Sequence, residues 1–335
     1  MSNLDIDMQS LQSLRSQFAR ALTDFASSSS STFKVLRSVP SSSPPSSSPI
    51  RTLYVLDSSF NPPSKAHLAL VKNALKTTEF LSTSSAQSGT SSSASKPALG
   101  TSFSESRVLF LLATVNADKT PEPADFPDRL VMMTLMAEEL RSAFSTDPPV
   151  VDVGITKKPY FVDKAASIDD SGVYTTANQE DQEHFEQIHL TGFDTLIRIF
   201  TAKYYPDHKP PLSALAPFLT RHRVRATVRV DKDSPSKNLR DTTTTTSNGN
   251  SKNDLSSIDG QLAYLKGIAN GDMEDDGLKR EWASRVDLVV DETGETEGVS
   301  STRIRNAARK GNWSDVDELV GNGVGHWIRE NKLYT

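Results

Sequence analysis

The stretch from Thr52 to Leu75 constrains this chain more than any other. Thr52 to Leu56 is a short apolar run, the pattern of a strand buried on both faces. Asn61-Pro62-Pro63 ends it, because proline fixes φ and lacks an N–H, so neither strand nor helix continues. Ser64 can cap a helix that starts after it, and Leu70, Val71, Ala74 and Leu75 recur at helical spacing. The stretch therefore reads strand, tight loop, helix, with His67 in the first helical turn. Free backbone N–H groups and the positive end of the helix dipole gather at that turn and favour an anion. A histidine there can donate to a phosphate oxygen; it can equally be a half-buried residue of a capped helix.

The same alternation continues along the chain. Arg107–Ala113, Val150–Val153, Ile188–Thr191, Arg223–Val230 and Val286–Val290 read as further strands, six with the first. Helices are expected over Pro127–Arg141, through Leu196–Phe200, over Leu212–Leu219, Leu255–Ile268 and Lys279–Ala283, and near 301–310, 314–320 and 324–331. Asp125 and Asp128 suit the N-terminal end of the helix over Pro127–Arg141. Asp163–Glu183 reads as a helix start and then loop. Strands alternating with helices indicate an α/β fold with a parallel sheet, right-handed crossovers and ligands beyond the carboxyl ends of the strands.

Composition matters where it interrupts that pattern. Hydrophobic content is 36%, low for a compact fold, but the deficit lies in Ser/Thr-rich tracts. The expected organisation is an amphipathic helix in 1–27 (Met8, Leu11, Leu14, Phe18, Leu22, Phe25), a Ser/Pro-rich linker over 28–50, and one domain over 51–335. Insertions at 82–104 and 231–254 hold too few apolar side chains to order themselves. Phe33–Val39 can add a short strand inside the linker. The N-terminal helix either packs on the domain or offers a face to protein partners.

Zero cysteines exclude a disulfide framework, a thiolate nucleophile and a Cys-ligated zinc. A net charge of −5 leaves no footprint for a nucleic acid polymer. No apolar run has transmembrane length and no signal pattern opens the chain. The expectation is an intracellular protein of the cytoplasm or nucleus, with no membrane partner.

Two more strand-to-helix junctions carry chemistry. In Leu190-Thr-Gly192-Phe-Asp194 a glycine permits close backbone approach and a carboxylate can accept from both ribose hydroxyls; the alternative is an Asp cap. In Gly298-Val-Ser300-Ser301-Thr302-Arg303-Ile304-Arg305 three hydroxyls open a helix and Arg305 comes one turn on. That is a phosphate site built of N–H, hydroxyl and guanidinium, or else an over-capped helix with surface arginines.

Ser59-Phe60-Asn61-Pro62 with Ser64-Lys-Ala-His67 resembles the first motif of the nucleotidylyltransferase superfamily, His-x-Gly-His or Thr-x-x-His. It is most similar to the nicotinamide mononucleotide adenylyltransferases, which begin Gly-Ser-Phe-Asn-Pro. Ser58 replaces the family's Gly, Ser64 its first His or Thr, and Ala66 its second Gly. Residues 190–196 resemble the family's Gly-x-Asp motif, 298–305 its Ile-Ser-Ser-Thr-x-Ile-Arg signature, and Val115-Asn116-Ala-Asp-Lys119, more loosely, its Val-Asn-Asp-x-Tyr-Lys loop. Gly325-His-Trp-Ile328 resembles its C-terminal helix, so the likeness runs from Arg51 to Tyr334.

The resemblance implies a Rossmann-like fold with helices on both faces of the sheet. It implies transfer of AMP from ATP to nicotinamide mononucleotide or a related mononucleotide, giving NAD and pyrophosphate. His67 and Arg305 would be catalytic. ATP would be held by Ser58, Ser59, Phe60, His67, Lys119, Gly192, Asp194, Ser301, Thr302 and Arg305, with Lys119 equally a solvated loop lysine. Mg²⁺ would ride on the nucleotide, since no carboxylate cluster marks a protein metal site. Trp282, Trp313 and Trp327 all fall late, so Tyr160, Phe161, Tyr204 and Tyr205 are candidate platforms for the acceptor's base, or else ordinary core and surface aromatics. Two other functions fit the same motifs: a superfamily transferase with a pantetheine-phosphate or CTP-dependent acceptor, and a regulatory protein that binds or hydrolyses ATP.

Overall fold

The computed structural model describes residues 7–45, 50–76, 105–115, 124–175, 185–228, 255, 257–291, 294 and 298–335. The insertions at 82–104 and 231–254, Asn116 and Lys119 lie outside these residues. The chain is α/β, with seven strands in mostly parallel pairing, flanked by helices. It divides into two compact units: Met1–Leu68, Ser102–Gln187 and Val299–Thr335 form one, Ala69–Thr101 and Ile188–Gly298 the other.

In the first unit the strands are β1 (Phe33–Val39), β2 (Thr52–Asp57), β3 (Ser106–Ala113) and β4 (Val150–Thr156), in the spatial order β1-β4-β3-β2. β2, β3 and β4 pair in parallel, and β3 is buried from Arg107 to Ala113, as its unbroken apolar run dictates. The short strand that Phe33–Val39 could add is formed as β1, which pairs antiparallel with β4 across an irregularity between Val35 and Arg37. The stretch 28–50 is thus not all linker. Serine and proline dominate its composition, yet Phe33 and Ile50 join the core of Leu53, Val55, Leu109, Leu111 and Ile168. The open edge of β4 supplies the hydrogen-bond partners that turn Phe33–Val39 into a strand.

α1 (Met8–Ser27) is capped by Asp7, whose carboxylate accepts from the N–H of Gln9, and it buries Leu14, Phe18 and Phe25. It packs on α3 (Phe126–Ser142), which is buried almost all round, from Asp128 to Ala137 and at Leu140. Asp128 is therefore a buried carboxylate. Arg15 of α1 holds it with two bonds, Nε to Oδ1 at 2.8 Å and Nη2 to Oδ2 at 2.9 Å. Within the sheet Arg107 of β3 pairs with Asp152 of β4, and Ser38 and Tyr174 also donate to that carboxylate. α2 (Lys65–Lys76) comes after β2, and the boundary between the units falls within it. α4 (Phe161–Asp170) comes after β4, at the start of the acidic segment.

The second unit holds β5 (Glu186–Gly192, from Ile188 onward), β6 (Arg223–Val228) and β7 (Val286–Val290), parallel and in that spatial order. α5 (Phe193–Ile199) and α7 (Ile258–Asn270) are helices of this unit. The expected helix over 212–219 is a 3₁₀ turn, Pro211–Leu215, leading into α6 (Ala216–Leu219), and that over 279–283 is a 3₁₀ helix, Arg280–Arg285. Returning to the first unit, the chain ends in α8 (Ser301–Arg309), α9 (Trp313–Leu319) and α10 (Asn322–Glu330). No helix among the described residues is long and apolar enough to cross a membrane.

Candidate functional site

The first unit assembles its polar side chains around the loop that joins β2 to α2. At the end of β2 the Asp57 carboxylate accepts from Lys164 Nζ at 2.5 Å, and the Ser58 N–H donates to the Leu111 carbonyl. Phe60 then takes φ +45° while fully buried, a conformation that bulky residues avoid unless their surroundings impose it. Its ring lies 5.3 Å from the imidazole of His67 and 5.9 Å from Phe110. The Asn61–Pro62 peptide is cis.

His67 sits in the first turn of α2, where its own N–H donates to the Ser64 carbonyl. The Ser64 N–H points at His67 Nδ1, 3.0 Å away, and the Ser64 hydroxyl lies 2.8 Å from the same nitrogen. A backbone N–H can only donate, so Nδ1 is the acceptor and the neutral ring carries its proton on Nε2. That Nε2–H is directed at Ser58 Oγ, 2.9 Å distant. Ser64 thus does more than open the helix: it sets the tautomer of the histidine.

Other elements clasp the loop through its carbonyls. Ser301, the first residue of α8, donates to Pro62 O at 2.9 Å, and Arg305 Nη1 donates to Asn61 O at 2.7 Å. Arg305 Nη2 also reaches Thr302 Oγ1 at 3.2 Å, while Ser300 caps the helix by accepting from the Arg303 N–H. Tyr334 donates to Asn61 Oδ1 at 2.9 Å, and Lys65 Nζ bonds the carbonyls of Asp317 and Glu318. Ser58, Ser59, Phe60, His67, Ser301, Thr302 and Arg305 are therefore brought together. Ser301 and Arg305 have a task the motif does not announce, which is to hold the loop that carries His67.

Arg129 of α3 is a further member, one that no sequence motif marks. Its guanidinium is buried, donates from Nε to Ala124 O at 2.8 Å, reaches Ser59 O from Nη1 at 3.5 Å and lies over the Phe126 ring. Among the described residues no carboxylate comes within ion-pair distance of it, although Asp125 acts on it from farther off. Burial pushes its pKa down, Tyr334 pushes it up, and neighbouring Arg305 pushes it down again. Tyr334 is raised by burial, against the pull of Arg129 and Arg305. Two guanidiniums and a helix N-terminus converging on one loop make a place for negative charge.

In the second unit β5 ends at Gly192, which is the N-cap of α5, and no side chain caps that helix. Asp194 lies in its first turn with an exposed carboxylate, so it is not the cap. Thr191 Oγ1, at the end of β5, is buried with no hydrogen-bond partner among the described residues. Of the proposed platforms, Tyr160 is 46% exposed, whereas Tyr205 is buried and donates to Ile199 O. Trp327 and Trp282 are buried. Among the described residues no three His, Asp or Glu side chains gather into a metal site. A cavity of about 500 Å³ in the first unit is lined by Leu11, Arg37, Glu138 and their neighbours, and by none of the residues above.

No family model matches the chain. A Schizosaccharomyces pombe protein named "Putative nicotinamide mononucleotide adenylyltransferase" is 29% identical over 270 residues, 81% of each chain. Two structures of Plasmodium falciparum nicotinic acid mononucleotide adenylyltransferase, complexed with NaAD and with APC, each cover 85% of this chain and 97% of their own. They superpose with TM-scores of 0.42 and 0.43 at 11% and 10% identity, too low for the likeness to bear on the reading. Through the fission-yeast relative and its own motifs in order, the chain resembles the nicotinamide mononucleotide adenylyltransferase-like branch of the nucleotidylyltransferases.

Proposed function

We propose that the chain is an adenylyltransferase that moves AMP from ATP to nicotinamide mononucleotide or a related mononucleotide. A phosphate oxygen of the acceptor attacks the α-phosphorus of ATP. The new P–O bond forms as the bond to the bridging oxygen breaks, and its electron pair leaves with pyrophosphate. No side chain need act as nucleophile, so catalysis is positioning and charge stabilisation. The observation that carries the reading is His67, fixed by Ser64 with its Nε2–H directed at Ser58 Oγ, in a loop clasped by Ser301 and Arg305. Negative charge that builds on the bridging oxygen is stabilised at this His67 end of the loop, while Arg305, Arg129 and the α8 hydroxyls hold the phosphates. Gly192 and Asp194 would take the nucleotide ribose, Lys119 a phosphate, and exposed Tyr160 the acceptor's base. In this reading Mg²⁺ arrives on the nucleotide's phosphates.

The test is purified protein with ATP, Mg²⁺ and either nicotinamide or nicotinic acid mononucleotide, with the dinucleotide separated and quantified. His67→Ala should cut kcat by about two to three orders of magnitude, the effect of losing one preorganised donor, with a small change in ATP affinity. Arg305→Ala should weaken ATP binding more, because it removes a ground-state charge and a tie to Asn61. ATP binding without dinucleotide from any acceptor would replace this reading with a regulatory one.

A further inference from the structure

Ser58 stands where the resembling family has glycine, and its hydroxyl lies on the one donor that His67 can offer. We infer that Ser58 acts in series with His67 and is the group that reaches the nucleotide phosphate. The inference rests on the adenylyltransferase reading and adds to it a substrate contact that the family motif does not contain.

Counting protons sets the order of the two groups. Ser64 N–H occupies Nδ1 of His67, so the ring's single proton is on Nε2 and points at Ser58 Oγ, 2.9 Å away. A hydroxyl that accepts one hydrogen bond still has its own proton to give. Among the described residues Ser58 Oγ makes no other hydrogen bond than this one. The hydroxyl is also held in place. The Ser58 N–H is bonded to Leu111 O, directly after the Asp57–Leu111 pair that ends the parallel β2–β3 ladder. The imidazole is fixed by Ser64 on one side and covered by the Phe60 ring at 5.3 Å. A phosphate oxygen therefore meets Ser58 O–H first. Accepting from Nε2–H polarises that hydroxyl and makes it the better donor as charge builds on the phosphates. No proton need leave the protein; two hydrogen bonds strengthen together.

The experiment measures kcat and ATP KM for wild type, Ser58→Ala, Ser58→Gly, Ser58→Thr, His67→Ala and the Ser58→Ala/His67→Ala double variant, with the acceptor that wild type uses. Groups in series should not add: the double variant should be no slower than the worse single variant. Ser58→Ala and Ser58→Gly should each lose about 10–100-fold in kcat with KM changed only a few-fold. Ser58→Thr, which keeps the hydroxyl, should retain activity within several-fold. A rise in kcat for Ser58→Gly would overturn the inference, because Ser58 would then compete with the substrate for His67. Multiplicative losses in the double variant would overturn it too, as they mean independent action. Imidazole ¹⁵N NMR, with His67→Ala to assign the signal, reads the arrangement without turnover. Protonated Nε2 and unprotonated Nδ1 are expected, with Nε2 moving in Ser58→Ala, and a proton on Nδ1 would sink the proposal even in active protein. Failure of wild type to make dinucleotide with any acceptor would instead refute the adenylyltransferase reading, and this inference would fall with it.

Discussion

Removing Arg15 should be far more costly than its half-buried position on α1 suggests. The reason lies in what it leaves behind. Asp128 is 3% exposed, and both oxygens are bonded by Arg15, at 2.8 and 2.9 Å, with no other hydrogen-bond donor among the described residues. Arg15→Ala strands that carboxylate under the N-terminal helix. Breaking a buried pair from one side typically costs about 3–5 kcal/mol. Arg15 itself is one-third exposed, so its departure admits water and the lower end, about 3 kcal/mol, is expected here. For a unit of this size each kcal/mol moves Tm by about 2–4 °C, which gives a drop of about 6–12 °C. Urea unfolding tracked by far-UV circular dichroism gives the free energy directly. Asp128→Asn alone should cost about 1 kcal/mol, and the double variant Arg15→Ala/Asp128→Asn should recover about 2 kcal/mol over Arg15→Ala, since no charge is left buried. If Arg15→Ala unfolds within about 0.5 kcal/mol of wild type, or the double variant is no better, the pair does not dock α1 and the reasoning fails.

Asp194→Ala should weaken ATP binding by about 5–100-fold, the loss of hydrogen bonds to a charged acceptor, while circular dichroism is unchanged; normal affinity with lost stability would give Asp194 a purely structural role. Alkaline pH should unfold the protein through its phenols: Tyr174, Tyr264 and Tyr334 are all raised above the usual value of 10, burial being the first cause in each. The folded state binds these protons more tightly, so their contribution is complete below pH 10 and is lost as pH climbs past it. The urea midpoint should fall as pH rises from about 10, the ordinary phenol value, to about 11, less steeply in Tyr264→Phe, and a flat midpoint would contradict the assignment.

The parallel core was legible because β2, β3, β4 and β7 are short, mostly apolar runs that stop at polar residues, the pattern of buried strands, while Arg223–Val228 alternates. Phe33–Val39 was legible as a possible strand even among serines and prolines, but its antiparallel place was not, because its partner is the edge of β4, which is not local to it. Motif residues surfaced through their types: His67 after a proline turn, Ser301 to Arg305 at a helix start. Their partners did not. Arg129 lies within an apolar helical run, where an arginine ordinarily marks the solvent face; the missing cue was that α3 is apolar on its other faces too, which leaves no solvent face to mark. Asp152 is a lone acid in Val-Val-Asp-Val-Gly, and only the pairing of β3 with β4, which sets Leu109 opposite it and Arg107 two residues away, supplies its guanidinium. Tyr334 and Asn61 have nothing in common along the chain, and their bond exists only in three dimensions.

That distance has a temporal side. The loop carrying His67 is held by Ser301, Arg305 and Tyr334, which come 239, 244 and 273 residues after their partners. Synthesis at about 5–20 residues per second separates the loop from its fasteners by roughly 10–50 s. Through that interval the nascent histidine loop has only its neighbours to hold it, the buried φ +45° at Phe60 among the conformations left without support. The site is thus among the last features of the fold to be completed, although its best-known motif is among the first to leave the ribosome.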